Sequence, residues 1–156
     1  GWIANVSVFG ILAILAGIAI VVLFALGLGL LFGAVNVRFR DAENIVELLL
    51  LLATWASPVL YHWTMVQDAL KSLGGPSWLL ELYLINPITQ AVELFHFAFW
   101  RPVTPAVLPG GAKVEDMAIP PDLGINTLWA FVIVIVTLFI GQLVFRRLEG
   151  KFAQAL

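Results

Sequence analysis

The chain has 156 residues, of which 62% are hydrophobic and only 12% are charged, and its formal net charge is -2. This apolar content and a mean hydropathy of +1.02 predict a membrane protein. The scattered Lys and Arg residues indicate no nucleic-acid partner, and the absence of Cys excludes disulfides and thiolate chemistry. Because the chain begins Gly1-Trp2 and carries no charge before Arg38, we expect it to be the C-terminal part of a larger protein.

The first element is a long uncharged hydrophobic block that ends at Arg38. About 20 apolar residues suffice to cross a hydrocarbon core of about 30 Å, so we predict a transmembrane helix over about residues 8–37. Ala25, Gly29 and Gly33 recur every four residues on one face of this helix. Small side chains at this spacing allow another helix to approach closely, either within the membrane domain or at a subunit interface.

A short charged turn separates the first helix from the second. Cations complement the C-terminal end of one helix and anions complement the N-terminal end of the next. We therefore predict a cytoplasmic turn formed by Arg38, Arg40, Asp41, Glu43 and Glu47. Glu47 lies one turn after Glu43 and is expected to reach the membrane interface, to pair with an arginine of the turn, or to face a cytoplasmic partner.

The second membrane helix is predicted over about residues 43–58 and ends at a proline. Because Pro58 limits its regular part to about 15 residues, or roughly 22 Å, the helix falls short of a full crossing. Ser57 and Pro58 are therefore predicted helix-break residues.

Residues 62–100 contain helical pieces that are each too short to span. The break at Gly74-Gly75-Pro76 and the helix start at Asn86-Pro87 predict a re-entrant helix-break-helix segment in the outer half of the bilayer. Asn86 and Pro87 are predicted break residues like Ser57 and Pro58. The Pro- and Gly-rich residues 101–122 that follow are predicted to form an aqueous loop.

A third transmembrane helix is predicted over about residues 125–146, where an uncharged run meets Arg146 and Arg147. The positive-inside rule places the Arg38 turn and the C-terminus in the cytoplasm, and the re-entrant segment and loop outside. The predicted fold is an all-α membrane protein with three transmembrane helices and a re-entrant extracytoplasmic segment.

Four short motifs occur in order along the chain: Arg40-Asp41, Ser57-Pro58-Val59-Leu60-Tyr61, Leu84-Ile85-Asn86-Pro87-Ile88-Thr89 and Val144-Phe145-Arg146-Arg147-Leu148-Glu149. Their order and membrane spacing resemble the permease subunits of type-2 ABC exporters. More closely, they resemble the branch that exports lipid-linked polysaccharides of the O-antigen, wall teichoic acid and mycobacterial-type galactan kinds.

The resemblance implies a six-helix permease, of which this chain supplies the last three helices. It implies a working unit of two permease copies and two ABC nucleotide-binding subunits in the cytoplasmic (inner) membrane of a bacterium. Many relatives carry an aromatic residue followed by Arg after the Asn-Pro helix. This chain has Phe95-His96 there, so a side chain that titrates near neutrality replaces a fixed positive charge.

The sequence carries no P-loop and no cluster of metal-ligand spacing, and we expect neither enzymatic activity nor a cofactor in this chain. ATP and Mg²⁺ are expected on the partner nucleotide-binding subunit. His62 and His96 have no obvious catalytic carboxylate, although Glu93 lies one turn before His96.

Aromatic residues are the most informative class, because their rings stack on the apolar faces of sugars while polar edges stay hydrated. We predict a substrate pathway lined by Trp55, Tyr61, Trp63, Tyr83, Phe95 and Phe99. The alternative for Trp63, Trp78 and Trp100 is an aromatic belt at the membrane interface.

The sequence thus predicts the membrane subunit of an ATP-driven exporter of lipid-linked glycan, in contact with membrane lipid and a second permease copy. The alternatives are a permease for drugs or small lipids of the same superfamily, and a scaffold subunit that transports nothing.

Overall fold

The computed structural model describes residues 8–38, 42–55, 57–58, 61–100 and 119–152. Its helices are α1 (Val8–Arg38), α2 (Ala42–Trp55), α3 (Trp63–Ser72), α4 (Ser77–Leu84), α5 (Pro87–Phe95) and α6 (Leu123–Phe152), with a π-helical segment (His96–Trp100) directly after α5. No strand occurs within these ranges. The predicted all-α fold is confirmed.

Two of the described helices, α1 and α6, are long and apolar enough to cross a membrane, over Val8–Asn36 and Leu123–Leu148. Both were predicted as transmembrane helices. α2 has 14 residues, which corresponds to about 21 Å, so it is shorter than a full crossing. The third crossing and the re-entrant path of residues 62–100 stay predictions. Residues 101–118 of the predicted loop lie outside the described residues.

The close approach of α1 and α6 depends on two glycines. A Cβ atom added to Gly27 would lie 2.8 Å from the backbone nitrogen of Leu138 and 2.9 Å from its Cα. A Cβ on Gly141 would collide with the carbonyl oxygen of Gly27. The two helix backbones are therefore in direct contact at this crossing, as small residues at helix crossings permit.

The small-residue face that the sequence predicts on α1, with Ala25, Gly29 and Gly33, is not the face that contacts α6. Positions 29 and 33 have nothing within 4 Å of where a Cβ would stand, among the residues that the structure describes, and Ala25 is exposed. Ala25 and Gly29 instead line an apolar groove of about 460 Å³ between α1, α2 and α5. Within the described residues, α6 approaches α1 closely at Gly27, which lies on another face of α1.

α5 completes the core by packing on α1 and α6. Its Ala91 and Leu94, with Ala98 of the π segment, join a buried apolar cluster that also contains Ala13, Ile20, Ala130 and Val134. Gly17 of α1 permits this contact, since a Cβ there would lie 3.3 Å from the Phe95 ring and 3.5 Å from the Ala91 carbonyl oxygen. α1, α5 and α6 thus form the packed body of the described chain.

α2 packs much less. Its leucines are exposed along most of its length, with Leu48 at 61% and Leu51 at 60%. A helix that is apolar on several faces requires lipid or another protein around it. α2 therefore contributes surface, and little core, to the described structure.

Candidate functional site

Side-chain hydrogen bonds cap the end of α2. Ser57 is 1% exposed, and its hydroxyl donates to the Thr54 carbonyl oxygen over 3.2 Å. The Tyr61 hydroxyl donates to the Trp55 carbonyl oxygen over 2.8 Å. Both bonds satisfy carbonyls that the end of a helix leaves without an intrahelical partner. Pro58 is buried beside them. Of the predicted break residues, Ser57 therefore caps the end of α2 and Pro58 is buried directly after it.

α3 begins with a histidine cap. The His62 Nδ1 atom accepts a hydrogen bond from the Thr64 backbone N–H at 3.4 Å and lies 3.0 Å from the Thr64 hydroxyl. This contact gives His62 a capping role at the first turn of α3. Trp63, the first residue of the helix, is only 4% exposed.

Asn86 and Pro87 form the start of α5. The Asn86 Oδ1 atom accepts a hydrogen bond from the Ile88 backbone N–H at 3.0 Å, and the Asn86 carbonyl oxygen accepts one from the Gln90 N–H at 2.9 Å. Pro87 occupies the first turn, where a missing N–H has no cost, and it is buried. The predicted break at 86–87 is therefore a capped helix start.

We expect Asn86→Ala to lower the free energy of unfolding by about 1 kcal/mol, because the Ile88 N–H loses its acceptor. Thermal melting of the purified full-length protein measures this effect. Asn36→Ala is the matched control, since Asn36 is exposed near the end of α1 and caps no helix start. Equal melting temperatures for the two variants would contradict the capping role.

Three polar side chains of α5 are buried. Thr89, Gln90 and Glu93 are 0%, 0% and 1% exposed. Gln90 is well satisfied: its Nε2 donates to the Leu84 carbonyl oxygen at 2.6 Å, and its Oε1 accepts from the Thr127 hydroxyl at 3.1 Å. Gln90 therefore ties the end of α4 to α6.

Glu93 is different, because its buried carboxylate has poor polar contacts. Neither carboxylate oxygen accepts a hydrogen bond from the described part of the chain. The His96 Nδ1 atom lies 3.6 Å from Oε2, which is close enough for an ion pair but too long for a good hydrogen bond. The Thr89 hydroxyl is also buried without a hydrogen bond among these residues. We call Thr89, Glu93 and His96, which follow each other at helical spacing, the polar stripe.

Tyr83 of α4 lies near this stripe. Burial raises the pKa of the Tyr83 hydroxyl above its ordinary value, and the neighbouring Tyr61 hydroxyl and Glu93 carboxylate raise that pKa further. Tyr83 is therefore neutral at physiological pH. Its hydroxyl oxygen is buried and makes no hydrogen bond of good geometry within the described ranges, in spite of the closeness of Tyr61.

The six aromatic residues predicted to line a pathway differ widely in exposure. Trp55 and Phe99 are 64% and 45% exposed, whereas Trp63 is buried. Tyr61, Tyr83 and Phe95 are half-buried. The Phe95 and Phe99 rings stack with centroids 6.3 Å apart. Their role as a lining stays a prediction.

The predicted cytoplasmic turn falls largely outside the described residues. Arg40 and Asp41 lie there entirely, and for Arg38 and Glu43 only the helical backbone is described. Glu47 is exposed on α2. The role assigned to these five residues also stays a prediction.

The sequence prediction missed Thr89, Gln90 and Thr127, and assigned no role to Glu93. A signal was present: Thr89, Glu93 and His96 put polar groups at helical spacing in an apolar segment, and ionisable groups within membrane segments are functional candidates.

Residues 1–100, more than half of the chain, match the family model described as ABC-2 type transporter. The chain belongs to the ABC-2 type transporter family. A segment of 86 residues is 34% identical to the O-antigen export system permease protein RfbA of Myxococcus xanthus. These matches confirm the predicted resemblance to type-2 ABC permeases of the polysaccharide branch. The RfbA alignment covers 55% of this chain but only 30% of the relative's length. No solved structure matches the chain significantly.

Proposed function

We propose that the chain is part of the membrane-spanning subunit of an ATP-driven exporter of lipid-linked polysaccharide. The 34% identity over 86 residues to a permease named for O-antigen export carries this proposal. Family membership and the two long apolar helices support a transport role in a membrane. The glycan is of the O-antigen, teichoic acid or galactan type.

The proposed assembly contains two copies of the permease and a separate ABC nucleotide-binding subunit, which binds ATP and Mg²⁺. It lies in the bacterial cytoplasmic membrane with the C-terminus of this chain in the cytoplasm. The charged turn between α1 and α2 then faces the nucleotide-binding subunit. The segment from Ser57 to Trp100 forms an extracytoplasmic gate.

The geometry of this segment supports a gate. α5 is fixed to α1 and α6 through the apolar core and Gln90. α3 packs mainly on α4, and α4 packs on α3 and α5, so α3 and α4 are the less constrained part of the described structure. Trp55 is exposed at the end of α2, and its carbonyl oxygen accepts a hydrogen bond from the Tyr61 hydroxyl. The exposed ring suits weak and repeated contacts with a moving glycan.

We expect the double variant Trp55→Ala, Tyr61→Ala to reduce glycan export by about tenfold or more, since it removes the exposed ring and the hydrogen bond from Tyr61 to the end of α2. The measurement is ATP-dependent export by the full-length permease, purified with its nucleotide-binding subunit and reconstituted in vesicles. Tyr61→Phe separates the two causes, because it removes the hydrogen bond and keeps the ring.

Trp78→Ala is the matched control. Trp78 is 58% exposed on α4, and its expected role is that of an interfacial belt residue. Unchanged export in the double variant, or an equal loss with Trp78→Ala, would refute the pathway role of Trp55 and Tyr61. Purification without any nucleotide-binding subunit would instead support a scaffold.

A further inference from the structure

The two sides of α5 differ in chemistry. Ala91 and Leu94 pack into the apolar core with α1 and α6. Glu93 is two residues from Ala91, which places it about 200° around the helix axis, and Thr89 lies one turn before Glu93 on the same side. The polar stripe therefore points away from the core that holds α5 in place.

α4 reaches the polar stripe through Tyr83, whose hydroxyl interacts electrostatically with the Glu93 carboxylate. α4 follows α3 after the Gly74 turn, where φ is +65°, and it joins α5 at Asn86. The charged residues of the packed helices lie elsewhere: α1 has none before Arg38, and α6 has none between Leu123 and Phe145. Of the titratable groups in the described elements, His96 lies 3.6 Å from Glu93 between Nδ1 and Oε2, and Tyr83 is close enough to interact with the Glu93 carboxylate.

Four buried polar atoms of these three side chains have no hydrogen-bond partner among the described residues: both Glu93 carboxylate oxygens, the Thr89 hydroxyl and the Tyr83 hydroxyl. Buried polar atoms are normally paired, and each one that is left unpaired has a cost. These atoms can gain hydrogen-bond partners only from a bound molecule or in another conformation of the protein. All three side chains can bind hydroxyl groups, since the carboxylate accepts and the two hydroxyls donate or accept.

We propose that Tyr83, Thr89 and Glu93 form a contact site for the neutral sugar units of the glycan. The site is closed in this structure and opens when the α3–α4 hairpin separates from α5. The inference rests on the proposed export function, and it names the part of the glycan that is recognised.

Opening is tested by cysteine labelling, for which this chain offers a background without cysteine. Thr89→Cys, in a cysteine-free full-length permease reconstituted with its nucleotide-binding subunit, is treated with a membrane-impermeant maleimide. We expect labelling about tenfold faster during ATP turnover than without nucleotide, because the open population rises. Ala91→Cys is the control on the core side of α5 and should stay unlabelled in both conditions.

Recognition is tested with two substitutions of Glu93. Glu93→Met keeps the length of the side chain and removes the unpaired oxygens, so we expect a melting temperature higher by about 2–4 °C and export lower by about tenfold. Glu93→Gln keeps a hydrogen-bonding group and should retain most of the export. Glu81→Gln, an exposed residue of α4, controls for the loss of a charge and should change neither quantity.

Labelling of Thr89→Cys that is independent of ATP would overturn the inference, and so would wild-type export by Glu93→Met. A lower melting temperature for Glu93→Met would show that Glu93 is structural, which also overturns it. In each of these cases glycan export by the wild-type complex still stands. An absence of glycan export by that wild-type complex would overturn the proposed function, and this inference with it.

Discussion

Replacing Gly27 by Ala is expected to destabilise the protein by about 1–3 kcal/mol, which is the usual cost of adding volume to a tightly packed contact. The added methyl group would lie within 2.9 Å of the Leu138 backbone nitrogen and Cα. A helix backbone cannot move aside as a flexible side chain does, so α1 and α6 must separate. Because α5 packs on both helices, the separation also loosens the core. Thermal or denaturant unfolding of the full-length protein measures the loss.

Gly141→Ala tests the same contact from the other helix, since its methyl group would meet the Gly27 carbonyl oxygen. The control is Gly29→Ala, which has open space within 4 Å among the described residues. There we expect no loss and a gain of up to about 1 kcal/mol from the better helix propensity of Ala. If Gly29→Ala were as destabilising as Gly27→Ala, the result would contradict a close helix contact at Gly27 and Gly141.

The two long helices could be predicted from composition alone. Uncharged apolar runs in α1 and α6 are independent of any tertiary contact, and so is the proline that stops the helix before Tyr61. The cap at Asn86 and the first-turn Pro87 are equally local, because their partners lie within four residues. Features that depend only on neighbouring residues can therefore be predicted from the sequence.

The helix crossing could not be predicted in this way. Periodicity identifies the faces of a helix, but it does not say which face meets which neighbour. The face of Gly29 and Gly33 satisfied the small-residue pattern, yet α6 contacts α1 at Gly27, through the Leu138 backbone and through Gly141. Gly141 is not part of a repeat of small residues, so the sequence pattern does not identify its role.

The buried polar groups of α5 show the same limit. The sequence shows that Gln90 and Glu93 are polar residues in an apolar segment, but it does not show which of them has hydrogen-bond partners. The partner of Gln90 on α6 is Thr127, 37 residues away in sequence. Glu93, only three residues away from Gln90, has no comparable partner among the described residues. The difference between a structural residue and a functional candidate therefore depends on tertiary contacts.

Gln90→Ala is expected to destabilise the protein by about 2–4 kcal/mol, since it leaves a cavity and removes the donor to the Leu84 carbonyl oxygen. Gln90→Leu keeps most of the volume, so we expect a smaller loss of about 1–3 kcal/mol from the unpaired carbonyl. Unfolding free energies of the full-length protein distinguish the two contributions. Gln142→Ala is the matched control, because Gln142 is exposed on α6 and should tolerate the change.

The contact of Gln90 with α6 is isolated by a double-mutant cycle with Thr127→Val. The Thr127 hydroxyl has one proton, and it lies 2.6 Å from the Leu123 carbonyl oxygen as well as 3.1 Å from Gln90 Oε1. Because this proton is shared between two acceptors, we expect a coupling energy of only about 0.5–1 kcal/mol, well below the effect of Gln90→Ala. A coupling energy as large as the whole effect of Gln90→Ala would mean that α6, and not the end of α4, is the partner that Gln90 stabilises. A coupling energy of zero would show that Gln90 holds α4 alone, and that the apolar core is what fixes α5 against α6.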